Sequence, residues 1–215
     1  MDIRQLHVDL VDLHGRPSKT YSEDGVRQLL TTILSQNVAD TQTARASEAL
    51  FSTYPDYRAM EEADTGELAD VISEVGLMNQ KAARIQRSLE HIRAETGGEY
   101  TLAFLDEMDT EDARAWLTEI NGIGPKTANV VLNFHFEKPA FAIDTHIDRL
   151  SRRYGLIDES TTTENAHEIL NRTIPDDIKY SLHVLLITHG REYCTAQDPD
   201  CDNPVCETYC HCDYC

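Results

Sequence analysis

Apolar residues recur along this chain at spacings of three and four, and clear alternation of apolar and polar positions is absent, so the pattern predicts helices nearly throughout. Ile3, Leu6, Val8, Leu10 and Leu13 mark a first helix, broken at Gly15-Arg16-Pro17. Ser22 is expected to cap a second helix, with Glu23 and Asp24 placing acids in its first turn against the macrodipole. The apolar face of that helix is Val26, Leu29, Leu30, Ile33 and Leu34. The next expected helices cover 40–54, stopped near Pro55, and 64–75, ended by Gly76. A long amphipathic helix over 79–96 carries Ile85, Leu89 and Ile92 and closes at Gly97-Gly98. Helices over 110–120, with Trp116 and Leu117 inward, and over 125–133, with proline at the favoured first position, follow. Segments 145–154, 163–172 and 176–189 complete an all-α fold of about ten helices without a sheet.

Length and composition fit this picture. The 215 residues suffice for one large domain or two small ones around a common core, and 40% are hydrophobic. No stretch approaches the roughly 18 apolar residues of a membrane span, and nothing resembles a signal peptide, so a soluble cytoplasmic protein is expected. Charge complicates the picture. Acids outnumber bases 38 to 19, for a net charge of −19, whereas binding to phosphates favours lysine and arginine. Lysine occurs only at 19, 81, 126, 138 and 179, and the acids are spread along the whole chain. Such a surface suits a high-salt cytoplasm, where screening limits self-repulsion; the alternative is a merely acidic protein.

The most informative stretch is Ile120-Asn121-Gly122-Ile123-Gly124-Pro125-Lys126-Thr127-Ala128. One helix ends in Gly-Ile-Gly and another begins at once. Glycine permits positive φ and close backbone approach, and free N–H groups at the new helix start form an anion site suited to a phosphate. Gly122, Ile123, Gly124 and Thr127 are therefore candidate DNA contacts that read no sequence. A plain helix–helix turn is the alternative for Gly-x-Gly alone. Lys126 beside a positive dipole end is favoured in its neutral, nucleophilic form. Such an amine can attack C1′ of a deoxyribose, expel the base and leave a Schiff base, after which β-elimination cuts the strand on the 3′ side. Asp144 can stabilise the cationic sugar or assist proton transfer while also capping the next helix.

Together, Lys126-Thr127-Ala128-Asn129-Val130-Val131-Leu132-Asn133, Asp144-Thr145-His146 and the cysteine tail resemble the endonuclease III superfamily of helix-hairpin-helix DNA glycosylases, in matching order along nearly the whole chain. The resemblance implies a bifunctional DNA N-glycosylase and abasic-site lyase of base excision repair. It implies Lys126 as nucleophile, Asp144 as partner carboxylate and His146 as structural. Its partner would be double-stranded DNA with damaged bases, oxidised pyrimidines above all, or abasic sites; we expect a monomer at the nucleoid. A base treated chemically must leave the stack, and something fills the gap. By resemblance this is a plug residue at Asn37 or, one place earlier, Gln36, with Leu77 as apolar wedge or, alternatively, a core residue. Lys81 and Arg84 follow on one helical face, where they either touch phosphates or face solvent.

All six cysteines lie between 194 and 215, which points to metal ligation more than to a disulfide framework. The family closes with four cysteines spaced six, two and five around a [4Fe–4S] cluster. Here six residues separate Cys194 from Cys201, four separate Cys201 from Cys206, and five separate Cys206 from Cys212. Those four are the expected ligands; Cys210 and Cys215 are alternatives, and zinc is the alternative metal. The expected architecture is a helical barrel over 21–135, with the hairpin at about 113–133, and a cluster domain from 1–20 plus 136–215. DNA would cross a cleft between them. A monofunctional adenine or mismatch-thymine glycosylase and a non-enzymatic cluster protein are the rival functions; Lys126 speaks against the first and the Lys126–Asp144 pair against the second.

Overall fold

The computed structural model describes residues 1–19, 22 and 24–211. They form twelve α-helices and two short 3₁₀ turns, with no strand among the described residues. None of these helices is long and apolar enough to cross a membrane. The chain divides into two compact units, Tyr21–Glu137 and a discontinuous one built from Met1–Thr20 with Lys138–Cys215.

The continuous unit is organised around α2 (Gly25–Ser35), which packs on α3 (Asp40–Thr53), α6 (Met78–Glu95) and α8 (Pro125–Phe134). Val26, Leu29, Leu30, Ile33 and Leu34 are all buried, as their spacing predicts. The cap differs from expectation. Asp24, not Ser22, accepts the amides of Val26 and Arg27, and Ser22 Oγ donates to the Asp24 carbonyl. A carboxylate two residues closer to the first turn wins because its oxygen reaches both amides. Gly25 lies against His135: a Cβ there would fall 2.9 Å from the ring. Two short helices, α4 (Tyr57–Glu62) and α5 (Thr65–Val71), cover α6, and α7 (Thr110–Glu119) pairs with α8. Helix α4 has no counterpart in the sequence reading. Helix α5 stops four residues before the expected Val75, because Ile72 to Val75 turn back on Asp70 and Ile72 carbonyls.

In the discontinuous unit, α1 (Ile3–His14) buries Leu6 and Leu10 against α11 (Lys179–Glu192) and α12 (Pro204–Tyr209). Helix α9 (Thr145–Arg153) also packs on α11, where Gly190 admits His146; a Cβ at 190 would lie 2.9 Å from the His146 Cβ. Helix α10 (Thr163–Thr173) contributes Ala166 and Leu170 to the same core.

Candidate active site

The hairpin sits between α7 and α8. Gly122 has φ +93°, a conformation that favours glycine, and the amide of Ile123 donates to the Ile120 carbonyl at 2.9 Å. Ile123 is buried, so it anchors the turn from below and does not offer a side chain to a ligand. Gly124 is extended, with φ −98°, and a Cβ there would meet nothing within 4 Å. Neither backbone strain nor a neighbour in its unit requires glycine at 124, and the space above it is open. Pro125 opens α8, Lys126 stands second and exposed, and the first intrahelical bond runs from Ala128 to Gly124 at 3.1 Å. The amides of Lys126 and Thr127 thus precede the helical ladder.

Two more segments of this unit meet the hairpin, the turn after α2 and helix α6. Thr127 is buried, and its Oγ1 accepts from Gln36 Nε2 at 3.0 Å. The Gln36 Oε1 in turn accepts from Arg84 Nη1. Gln36 is therefore engaged inside the protein, whereas Asn37, with φ +56°, is exposed at the turn apex. Leu77 is 61% exposed with φ +58°. Core packing of Leu77 is excluded, and a leucine held in left-handed backbone and in solvent is costly enough to ask for a purpose.

Lys81 departs from expectation. It is 2% exposed, and its Nζ donates to the carbonyls of Leu34 at 2.7 Å and Gln36 at 2.9 Å. Burial, with Arg84 nearby, lowers its pKa below the ordinary lysine value. The ammonium holds the end of α2 and cannot also reach a phosphate. Its burial left no mark in the sequence, because its partners are backbone carbonyls.

Asp144 lies in the other unit. It caps α9, and its Oδ1 accepts the Ile147 amide at 2.8 Å. His146 is packed against Gly190, and its Nδ1 lies 3.2 Å from Arg149 Nη2.

Behind α9 the tail gathers sulfur. Cys194 and Cys206 are buried, and Cys201 and Cys210 pack against the same core. Arg153 Nη1 donates to Cys194 Sγ at 3.0 Å, and His189 Nε2 lies 3.3 Å from Cys206 Sγ. Burial, then the neighbouring His14, push the His189 pKa down to about 4, so its ring is neutral near pH 7. The hydrogen bond with Cys206 and then the Arg153 guanidinium bring the Cys194 thiol down, while the same Cys194 contact and burial push Cys206 up. Buried sulfurs supplied with donors suit soft-metal ligation. No group of three or more metal-binding side chains is assembled among the described residues, and Cys212 and Cys215 lie outside them.

A family model for the HhH-GPD superfamily of base excision DNA repair proteins matches residues 30–176. The chain is 33% identical over 208 residues to endonuclease III of Thermotoga maritima, covering 97% of this chain and 92% of the relative. It is 36% identical over 186 residues to endonuclease III of Sulfolobus acidocaldarius, covering 85% and 79%. A solved trapped endonuclease III–DNA covalent intermediate, an estranged-adenine complex, superposes with TM-score 0.83 at 26% identity, covering 97% of this chain and 94% of that one. The helical order, the hairpin and these matches together assign the chain to the HhH-GPD superfamily of base excision DNA repair proteins and, within it, to the endonuclease III family.

Proposed function

We propose that this chain is a bifunctional DNA N-glycosylase and abasic-site lyase acting on duplex DNA with damaged bases, oxidised pyrimidines in particular, in the cytoplasm at the nucleoid. The observation that carries the reading is Lys126, exposed at the second position of a helix that follows directly on the Gly-Ile-Gly turn. The open space at Gly124 and the early amides of α8 suit a DNA phosphate, which would hold the strand beside the lysine. Nζ forms a bond to C1′ as the C1′–N bond breaks and the base leaves with a proton. Departure of the ring oxygen from C1′ leaves the iminium. Loss of a C2′ proton then breaks the 3′ C–O bond. Asp144 stabilises positive charge on the sugar as the base departs. Asn37 and Leu77, both exposed in left-handed backbone, fill the gap left by the extruded nucleotide.

Borohydride reduction on a duplex carrying an oxidised pyrimidine, with base release followed in parallel, tests the chemistry. The wild type is expected to form a covalent adduct and Lys126→Gln none. Base release without any adduct from the wild type would instead establish the monofunctional alternative.

Cys194, Cys201 and Cys206, with Cys212 outside the described residues, would hold a [4Fe–4S] cluster. The buried sulfurs and the donors Arg153 and His189 support this. The bound group would supply covalent anchorage for the tail. Iron and sulfide determination on the purified protein checks it, and zinc in their place would overturn it.

A further inference from the structure

Three segments that the proposed function uses separately are joined through one side chain that it leaves without a role. Arg84, on the second turn of α6, lies flat over the hairpin. A Cβ on Gly122 would fall 2.5 Å from its Nε and 3.1 Å from its Cδ. The missing Cβ at Gly122 is thus what admits the arginine. From there the guanidinium reaches Gln36 Oε1, and the Gln36 amide continues to Thr127 Oγ1 at 3.0 Å, one residue from Lys126. Lys81, one turn earlier, fastens the backbone of the same turn through the Leu34 and Gln36 carbonyls. Arg87, three residues on, donates to Asn121 Oδ1 at 3.1 Å and braces the far side of the hairpin.

We propose that Arg84 and Gln36 form a latch that fixes the Asn37 turn to the Lys126 helix before DNA arrives, with Arg84 a positioning residue that acts through Gln36 rather than through a phosphate. A planar, forked donor suits a side-chain amide acceptor, and lysine cannot reproduce it. With Gln36 engaged on both sides, Asn37 is the side chain left to enter the duplex. Fixing the turn in advance spares its ordering cost in the reacting complex.

This inference rests on the glycosylase reading, and its test separates the two. Single-turnover base release is measured for Arg84→Lys, Arg84→Gln, Gln36→Leu and the Arg84→Lys/Gln36→Leu double variant, alongside the salt dependence of binding to an abasic-analogue duplex. Each single variant is expected to slow base release roughly tenfold. The double variant is expected to be no slower than either, since both break one contact chain. The salt slope should not change. The latch is overturned if Arg84→Lys releases base at the wild-type rate while Arg84→Gln lowers the salt slope by about one, the signature of a phosphate contact. Additive losses in the double variant overturn it as well. If the wild type releases no base, the glycosylase reading fails, and the latch is judged by NMR of the Gln36 side-chain amide in the free protein. Those resonances shift in Arg84→Lys if the latch exists; unmoved resonances overturn it.

Discussion

Asp144 Oδ1 accepts the Ile147 amide, so a carboxamide at 144 keeps an acceptor at the cap and removes only the charge. Asparagine and aspartate cap about equally well, whereas alanine costs about 1 kcal/mol. Asp144→Asn should therefore unfold in urea near the wild-type midpoint yet lose base release at least a hundredfold. Asp144→Ala should lose both. An Asn variant that unfolds early and still releases base would assign Asp144 to stability alone. Gly190, packed against His146, makes a complementary case of packing alone. Alanine there meets the His146 Cβ at 2.9 Å and the Leu150 Cδ1 at 3.2 Å, both rooted on α9, so Gly190→Ala should cost about 1–3 kcal/mol, read from the same urea curves.

Between elements, α4 is tied to α6 by Glu61, whose two oxygens each lie 3.0 Å from Arg93 Nε while Tyr100 donates to Oε2 at 2.6 Å. The Arg93 hydrogen bond holds the Glu61 carboxyl below its ordinary range. Because the folded value lies below the unfolded one, this contribution is complete at neutral pH and fades as acid titrates Glu61 in the fold. Arg93 is partly open to solvent, so the effect is modest. The stability difference between wild type and Glu61→Gln should be larger at about pH 7 than at about pH 3; an unchanged difference would remove the pair from the balance. The same helices mark what the sequence could tell. Helix α8 was legible because Pro125 and an apolar face agree. Helix α4 was not, since six residues between Pro55 and Asp64 are too few to display a period. Helix α12 was hidden because Pro204–Tyr209 reads as a spacing between cysteines. Lys126 and Asp144 could be named as candidates from motifs. The roles of Lys81 and Gln36 could not, because they depend on carbonyls and on Arg84 brought in from another helix.

For the whole molecule, a net charge of −19 must coexist with a polyanion. If the acids are an adaptation to concentrated salt, thermal midpoint and strand cleavage should both hold or rise toward molar potassium chloride, conditions under which most DNA binding collapses. Tightest binding in dilute buffer together with falling stability in salt would refute that adaptation. The discontinuous unit has a consequence for biosynthesis. Helix α1 is translated long before its packing partners α11 and α12. At about 5–20 residues per second, Leu6 and Leu10 wait roughly ten to forty seconds on the ribosome with their apolar face uncovered, while the segment between can already collapse. Until α11 and α12 emerge, the uncovered face of α1 is thus a surface that a chaperone would shield.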